Sequence, residues 1–299
     1  MQANKLIVPQ NIISVAAQYL RKHHGSPKIL VKITRNVGDT IHGIPILKHY
    51  RKKFPNAAIA FITGYPGIHE FNEDTTKVFG IPRNLDPQER LKLWPLIKNL
   101  EGIDYKIIPA IHPFGAVHKE NTFSYPCIAD QYLHNAGITD LKPLGGRRYI
   151  INISEDDKQW ANDFVERKGL NPNRLVLLEH HSYSHPVAWR GHKWEELVKG
   201  TRQLRFVSVA GTHEGRIGGS IDGRGITWRQ TVALANKARF VLGSGSGITM
   251  LAAGAENQPK IVELNVPESV SMKTCGYAPS TVLSNTTPAE VQRFLVNQL

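Results

Sequence analysis

Three glycines and two serines alternate in Gly243-Ser244-Gly245-Ser246-Gly247, between the apolar pair Val241-Leu242 and the segment Ile248-Thr249-Met250. Glycine lets a backbone approach a ligand closely, serine adds hydroxyl donors, and amides opening a helix carry partial positive charge. Together they suit a phosphate. A tight strand-to-helix turn without a ligand is the plainer reading, but small residues at every other position exceed what a turn needs. A dinucleotide fingerprint is the rival, since Glu263 follows Gly245 by 18 residues at a strand end, where a ribose-binding acid sits. Against it, the spacing is G-x-G-x-G, position 248 is Ile, and the run is far from the start of the chain.

Asp39 is the second candidate. It follows an apolar run and Gly38, at what is expected to be the carboxyl end of a first strand, where open α/β sheets bind ligands. As a plain helix N-cap it would put Pro45 at the helix's sixth position, where a ring without an N–H causes a kink. The regular helix is therefore expected near Ile44, with Asp39 on a loop.

A third stretch, Glu179-His180-His181-Ser182-Tyr183-Ser184-His185-Pro186-Val187-Ala188-Trp189-Arg190, is polar and aromatic after a strand. No carboxylate or cysteine stands at a ligand spacing from its histidines, so a ligand-contacting loop is expected rather than a metal site. Gly211-Thr212-His213-Glu214 also follows a strand, and Glu214 can accept hydrogen bonds from ribose hydroxyls; an ordinary polar loop fits equally.

The whole chain bounds these readings. Its 299 residues carry 37 Lys+Arg against 25 Asp+Glu, a formal net charge of +12. That excess points to an anionic partner: nucleic acid, a membrane surface or a phosphorylated substrate. The cluster Lys48-His49-Tyr50-Arg51-Lys52-Lys53 follows Asp39, and Lys28, Lys32 and Arg35 precede it. Such a run is usually a solvated helix face; here it also flanks a candidate site. A 41% hydrophobic content argues for a folded chain, and two cysteines, Cys127 and Cys275, argue against a disulfide framework. No apolar run approaches membrane-spanning length, and the first residues do not form a signal peptide, so a cytoplasmic protein is expected.

The elements that must position these residues alternate. Residues 11–22 have helical spacing, with Ile12, Val15, Ala16 and Tyr19 on one face. Strands are expected over Lys28 to Thr34 and Ala57 to Thr63, with a helix ending near Phe54 between them. A helix follows at Pro87 to Leu100, a short strand at Tyr105 to Pro109, an irregular loop at 110–127 and a helix from Ile128 to Ala136. Composition shifts near residue 145. Ser154 then caps a helix to Lys168, and strands at Arg174 to Glu179, Arg205 to Ala210, Arg239 to Gly243 and Lys260 to Leu264 alternate with helices at Trp194 to Arg202, Thr231 to Ala238 and Ile248 to Gly254. A last helix, Pro288 to Asn297, starts at Thr287. The alternation recurs in both halves, which implies two α/β domains with parallel sheets.

These pieces resemble the heptosyltransferase family of glycosyltransferases (glycosyltransferase family nine), which adds ADP-activated heptose to lipopolysaccharide inner core. One stretch, Ile33 to Thr63, has Gly38-Asp39, Pro45 and Phe54-Pro55-Asn56-Ala57. The other, Leu177 to Leu264, has Trp189, Lys193-Trp194-Glu195-Glu196-Leu197, Gly211 to Glu214, Gly225-Ile226-Thr227-Trp228, and Ser246-Gly247 followed by Leu251-Ala252-Ala253. The resemblance implies the GT-B fold, two Rossmann-like domains facing a cleft, at 1–150 on the acceptor side and 151–299 on the nucleotide-sugar side. The last helix would be free to pack back on the first domain. It implies Asp39 as catalytic base, flanked on the acceptor side by Arg35, Gly38, Thr40 and His42. On the donor side it implies Ser182, Glu214, Ile226, Ser246 and Gly247, and Ser244 and Gly245 of the same run, Thr212 beside Glu214 and Arg190 as a nearby cation are expected to join them. No metal or other cofactor is implied.

The expected function is inverting transfer from a nucleotide-diphosphate sugar to an anionic glycan such as lipopolysaccharide core, at the inner membrane face. A modified DNA base is the alternative acceptor, and a non-catalytic nucleotide- or nucleic-acid-binding protein the alternative class. Gly245 stands where the family has Asp, Met250 where it has His, and Val187 where it has a donor-contacting lysine, for which Arg190 or His185 can substitute. These differences bear on which nucleotide and sugar are used.

Overall fold

The computed structural model describes residues 9–33, 36–81, 102–107, 127–139, 148–181, 189, 191–209, 215–266 and 271–299. The chain divides into two compact units, Met1–Ile111 with Gln131–Leu144, and His112–Asp130 with Gly145–Leu299.

The first unit contains α1 (Pro9–Lys22), β1 (Lys28–Ile33), α2 (Val37–Ile41), α3 (Gly43–Lys53), β2 (Ala58–Thr63), α4 (Pro66–His69), β3 (Lys77–Gly80), β4 (Asp104–Ile107) and the later residues of α5 (Ile128–Asn135). Its sheet has the order β3-β2-β1-β4 and every pairing is parallel. β2 is buried at all six positions, as a strand covered on both faces must be. Ala58, Ala60 and Ile62 pack against Ile12, Ile13, Ala16, Ala17 and Leu20 of α1. The apolar stripe of α1 is thus rotated from the expected one, and Val15 is 37% exposed. The helix expected over Pro87 to Leu100 and residues 110–126 of the expected loop lie outside the described residues.

The second unit contains α6 (Glu155–Arg167), β5 (Leu175–Leu178), α7 (Gly191–Gly200), β6 (Arg205–Ser208), β7 (Ile221–Asp222), α8 (Trp228–Ala235), β8 (Phe240–Gly243), α9 (Gly247–Ala253), β9 (Lys260–Leu264), β10 (Ser280–Leu283) and α10 (Pro288–Asn297). Its parallel sheet runs β10-β9-β8-β5-β6-β7. The first strand, β5, lies inside the sheet; the chain winds outward through β6 and β7, then returns to build β8, β9 and β10. That reversal opens a crevice beyond the carboxyl ends of β5 and β8.

Ser154 caps α6 as expected, its Oγ accepting from the Asp157 amide at 3.1 Å. α8 starts earlier than its apolar residues suggest because Thr227 and Gln230 form a reciprocal capping box, with bonds of 2.9 and 3.2 Å. The edge strands β7 and β10 are additions to the expected set; they are short and carry polar residues, so neither shows a strand period. α10 spends its apolar face on this unit's own core, where Val291 and Leu295 join Trp194, Leu197 and Val198.

Trp194 is the largest fully buried side chain among the described residues, and its Nε1 donates to the Trp189 carbonyl at 3.1 Å. Trp194→Ala is expected to cost about 3–5 kcal/mol through cavity formation. Denaturant unfolding measures it, and a loss below about 1 kcal/mol would mean that the core closes around the gap. No described helix is long and apolar enough to cross a membrane.

Candidate functional site

Asp39 sits inside α2 rather than on a loop. Asn36 caps this five-residue helix, and the Asn36 amide donates to Asp39 Oδ2 at 2.9 Å. The backbone resolves the Pro45 conflict with two short helices in place of one kinked helix. α2 ends at Ile41, and Pro45 falls in the first turn of α3, where a missing N–H leaves no hydrogen bond unmade. Asp39 is only 8% exposed. Its Oδ1 accepts a hydrogen bond from the Tyr132 hydroxyl of α5. The His42 ring stacks on Tyr132 with centroids 4.2 Å apart and planes 15° apart.

Of the acceptor-side residues, Gly38 is partly exposed and Arg35 lies outside the described residues. Thr40 is fully buried, its Oγ1 donating to the Asn36 carbonyl at 3.0 Å and accepting from Thr63 Oγ1 at 3.3 Å. His42 is 4% exposed. Thr40 thus bonds the backbone at Asn36, and His42 packs on the ring whose hydroxyl donates to Asp39. His69 is buried edge-on to Phe61 at 4.6 Å. Neither ring nitrogen of His69 has a well-formed hydrogen-bond partner among the described residues. Burial holds His42 and His69 each to a pKa of about 3, the Thr40 backbone opposing this only in part at His69. Both rings are therefore neutral near pH 7.

The basic helix beyond Asp39 splits in two. Arg51 is structural, donating to the Pro55 and Ala57 carbonyls at 2.8 and 2.9 Å, whereas Lys48, Lys52 and Lys53 are exposed.

In the second unit the glycine-serine run lies at the crevice, between the end of β8 and the start of α9. Its inner side is occupied. Glu179, the residue after β5, is fully buried and places its carboxylate within the run. Oε2 accepts from the Ser244 amide (3.2 Å), the Ser246 amide (3.4 Å) and Thr249 Oγ1 (2.6 Å); Oε1 accepts from the Ile248 amide (3.2 Å) and from Ser246 Oγ. The amides of Gly245 and Gly247 donate to neither oxygen. Ser244 Oγ is buried with no hydrogen-bond partner among the described residues.

Glu263 is also fully buried. It accepts from the Met272 amide at 3.0 Å and from Ser280 Oγ, and burial, reinforced by Glu179, pushes its pKa up to about 7. Committed in this way, it is not a ribose ligand, which removes the dinucleotide alternative.

Ile226 lies just before the α8 cap and is half-buried. Ser182, Arg190, Thr212 and Glu214 lie outside the described residues, as do His185 and Val187. His180 bridges Ser208 Oγ at 2.8 Å and the Gly215 carbonyl at 2.9 Å. Among the described residues no group of three or more His, Cys, Asp or Glu is arranged to hold a metal ion.

Neither Tyr132 nor His69 stands out in the sequence, and Glu179 does so only as the first residue of the polar, aromatic stretch after a strand. Glu179 directly follows β5 at the crevice; Tyr132 is an aromatic position in a helix 93 residues from Asp39.

No family model matches the chain. No curated protein matches it either. Solved structures do. The family 9 glycosyl transferase of Veillonella parvula DSM 2008 matches at 16% identity over 91% of each chain, with a TM-score of 0.64. The ADP-heptose lps heptosyltransferase II of E. coli matches at 14% identity over 90% of this chain and 98% of that one, with a TM-score of 0.64. The E. coli heptosyltransferase WaaC, solved with ADP, matches at 13% identity over 91% of this chain and 100% of that one, with a TM-score of 0.58. The chain is an α/β protein of the GT-B fold, similar along nearly its whole length to family 9 glycosyl transferases and heptosyltransferases.

Proposed function

We propose that this protein is an inverting, metal-independent glycosyltransferase that moves a sugar from a nucleotide-diphosphate sugar, ADP-heptose-like, to an anionic glycan acceptor such as lipopolysaccharide core. The observation that carries this reading is the near full-length match in fold to heptosyltransferases, whose solved structures include complexes with ADP and an ADP-heptose analogue.

The residues of the chain divide the work. Asp39 accepts the proton of an acceptor hydroxyl as that oxygen attacks the anomeric carbon and the bond to the diphosphate breaks. The Asn36 amide and the Tyr132 hydroxyl hold the carboxylate in place. The departing diphosphate gains negative charge, and the amides of Gly245 and Gly247 and the Ser244 hydroxyl are loop donors that Glu179 leaves unbonded to meet it, together with Arg190. The exposed Lys48, Lys52 and Lys53 supply attraction for an anionic acceptor or for the surface that bears it.

Thermal unfolding in the presence of ADP, UDP or GDP tests the donor side. A native-state ligand at about 100 times its Kd adds about 2.7 kcal/mol, so one of the three is expected to raise the melting temperature clearly. If none does, the nucleotide-sugar reading fails. Binding to vesicles rich in anionic lipid, weakening with salt, is expected for an acceptor at a membrane surface. Tight, salt-dependent binding to duplex DNA without vesicle binding would transfer the acceptor to nucleic acid.

A further inference from the structure

We propose that Glu179 is the positioning residue of the phosphate-binding loop: its carboxylate holds the run from Gly243 to Thr249 in shape from inside and leaves the amides of Gly245 and Gly247 for the diphosphate. The inference rests on the nucleotide-sugar reading for the identity of the ligand, but not for the internal contact.

A carboxylate is an acceptor only, and all five groups around this one are donors. It is fully buried, so these dipoles replace the water it has lost. The glycines of the run fit this arrangement. A Cβ at Gly243 would lie 2.6 Å from both Glu179 Oε2 and Thr249 Oγ1, so glycine there makes room for the protein's own carboxylate. Gly245 has a φ of +73°, a conformation that favours glycine, and a Cβ there would approach Glu263 Oε1 at 3.1 Å. The pattern that reads in sequence as close approach to an external anion is therefore set first by an internal one. Three donors that would face a phosphate in a bare loop, the amides of Ser244 and Ser246 and the Ser246 hydroxyl, are already bonded.

Glu179→Gln keeps the size of the side chain but turns an NH₂ group toward donors, whichever oxygen it replaces. Hydrogen exchange of the Ser244, Ser246 and Ile248 amides is expected to accelerate at least about tenfold, with the β8 amides unchanged. Affinity for the best-binding nucleoside diphosphate among ADP, UDP and GDP is expected to fall at least about tenfold, while affinity for the matching nucleoside stays within about twofold. Unchanged loop exchange overturns the proposal. So does an unchanged diphosphate affinity, or an equal loss for diphosphate and nucleoside, which would mark general damage to the unit. If the unsubstituted protein binds none of the three diphosphates, the functional reading falls, and the exchange measurement still decides whether Glu179 holds the loop. Thr249→Val removes the 2.6 Å hydroxyl bond without changing charge and covers the case in which Glu179→Gln does not fold. It is expected to shift both readouts in the same direction by a smaller factor, and no shift in either would be decisive against the proposal.

Discussion

Asp39→Asn lowers sugar transfer by about 10²–10⁴-fold, the usual contribution of a positioned general base, and leaves nucleotide affinity unchanged. The substitution is conservative in this setting. An Asn at position 39 still offers a carbonyl oxygen to the Asn36 amide, and the Tyr132 hydroxyl can accept from its NH₂ as readily as it donates to the carboxylate. The α2 cap and the packing of Tyr132 against His42 therefore survive, and what is lost is the proton acceptor. Nucleotide binding is the internal control, because the proposed diphosphate contacts belong to the second unit. The check is a transfer assay run beside a nucleotide titration. Turnover retained at the level of the unsubstituted protein would remove Asp39 from the mechanism. A parallel loss of nucleotide affinity would mean that the change had spread beyond one carboxylate.

Acid is expected to weaken the two units differently. In the first, His42 and His69 have folded pKa values of about 3 against an ordinary 6.5. Between those values the unfolded chain binds more protons than the folded one, so stability is full above pH 6.5 and falls as pH drops toward 3. Each histidine contributes a slope of about 1.4 kcal/mol per pH unit, and two such groups consume several kcal/mol of a total stability typically about 5–15 kcal/mol. The second unit carries a term of opposite sign. Glu263 titrates at about 7 when folded against 4.5, so the folded state binds the extra proton between those values. Its contribution is full below pH 4.5 and declines as pH rises to 7. Urea unfolding followed from pH 7 to pH 4 is expected to show the first unit losing stability steeply. His69→Leu, which leaves an apolar side chain beside Phe61, should flatten that dependence by about one proton. An unchanged slope in His69→Leu would mean that His69 is not held neutral by burial.

The alternation of strands and helices was readable because its signals are local. The last helix starts and ends where its Thr287 cap and apolar spacing place it, and the Ser154 cap and the first two strands fall within a residue of their expected bounds. Errors came where a distant contact overrides a local preference. Val15 has the right spacing for a buried face, yet sheet contact selects the neighbouring stripe of Ile13, Ala17 and Leu20. β7 and β10 have no period of their own and exist because a neighbouring strand offers them a ladder. Pro45 correctly signalled that no single helix runs through Asp39, but the chain answered with a second short helix instead of a loop.

From sequence alone came the alternation of strands and helices, the parallel α/β class and the positions of Asp39 and the glycine-serine run, because composition, period and capping are properties of neighbouring residues. Tertiary structure alone decided what surrounds those positions. It brought Tyr132 to Asp39 across 93 residues and Glu179 to Ser244, Ser246, Ile248 and Thr249 across 65 to 70. A parallel sheet places the ends of sequence-distant strands side by side, and no local pattern encodes which buried acid will meet which loop of amides.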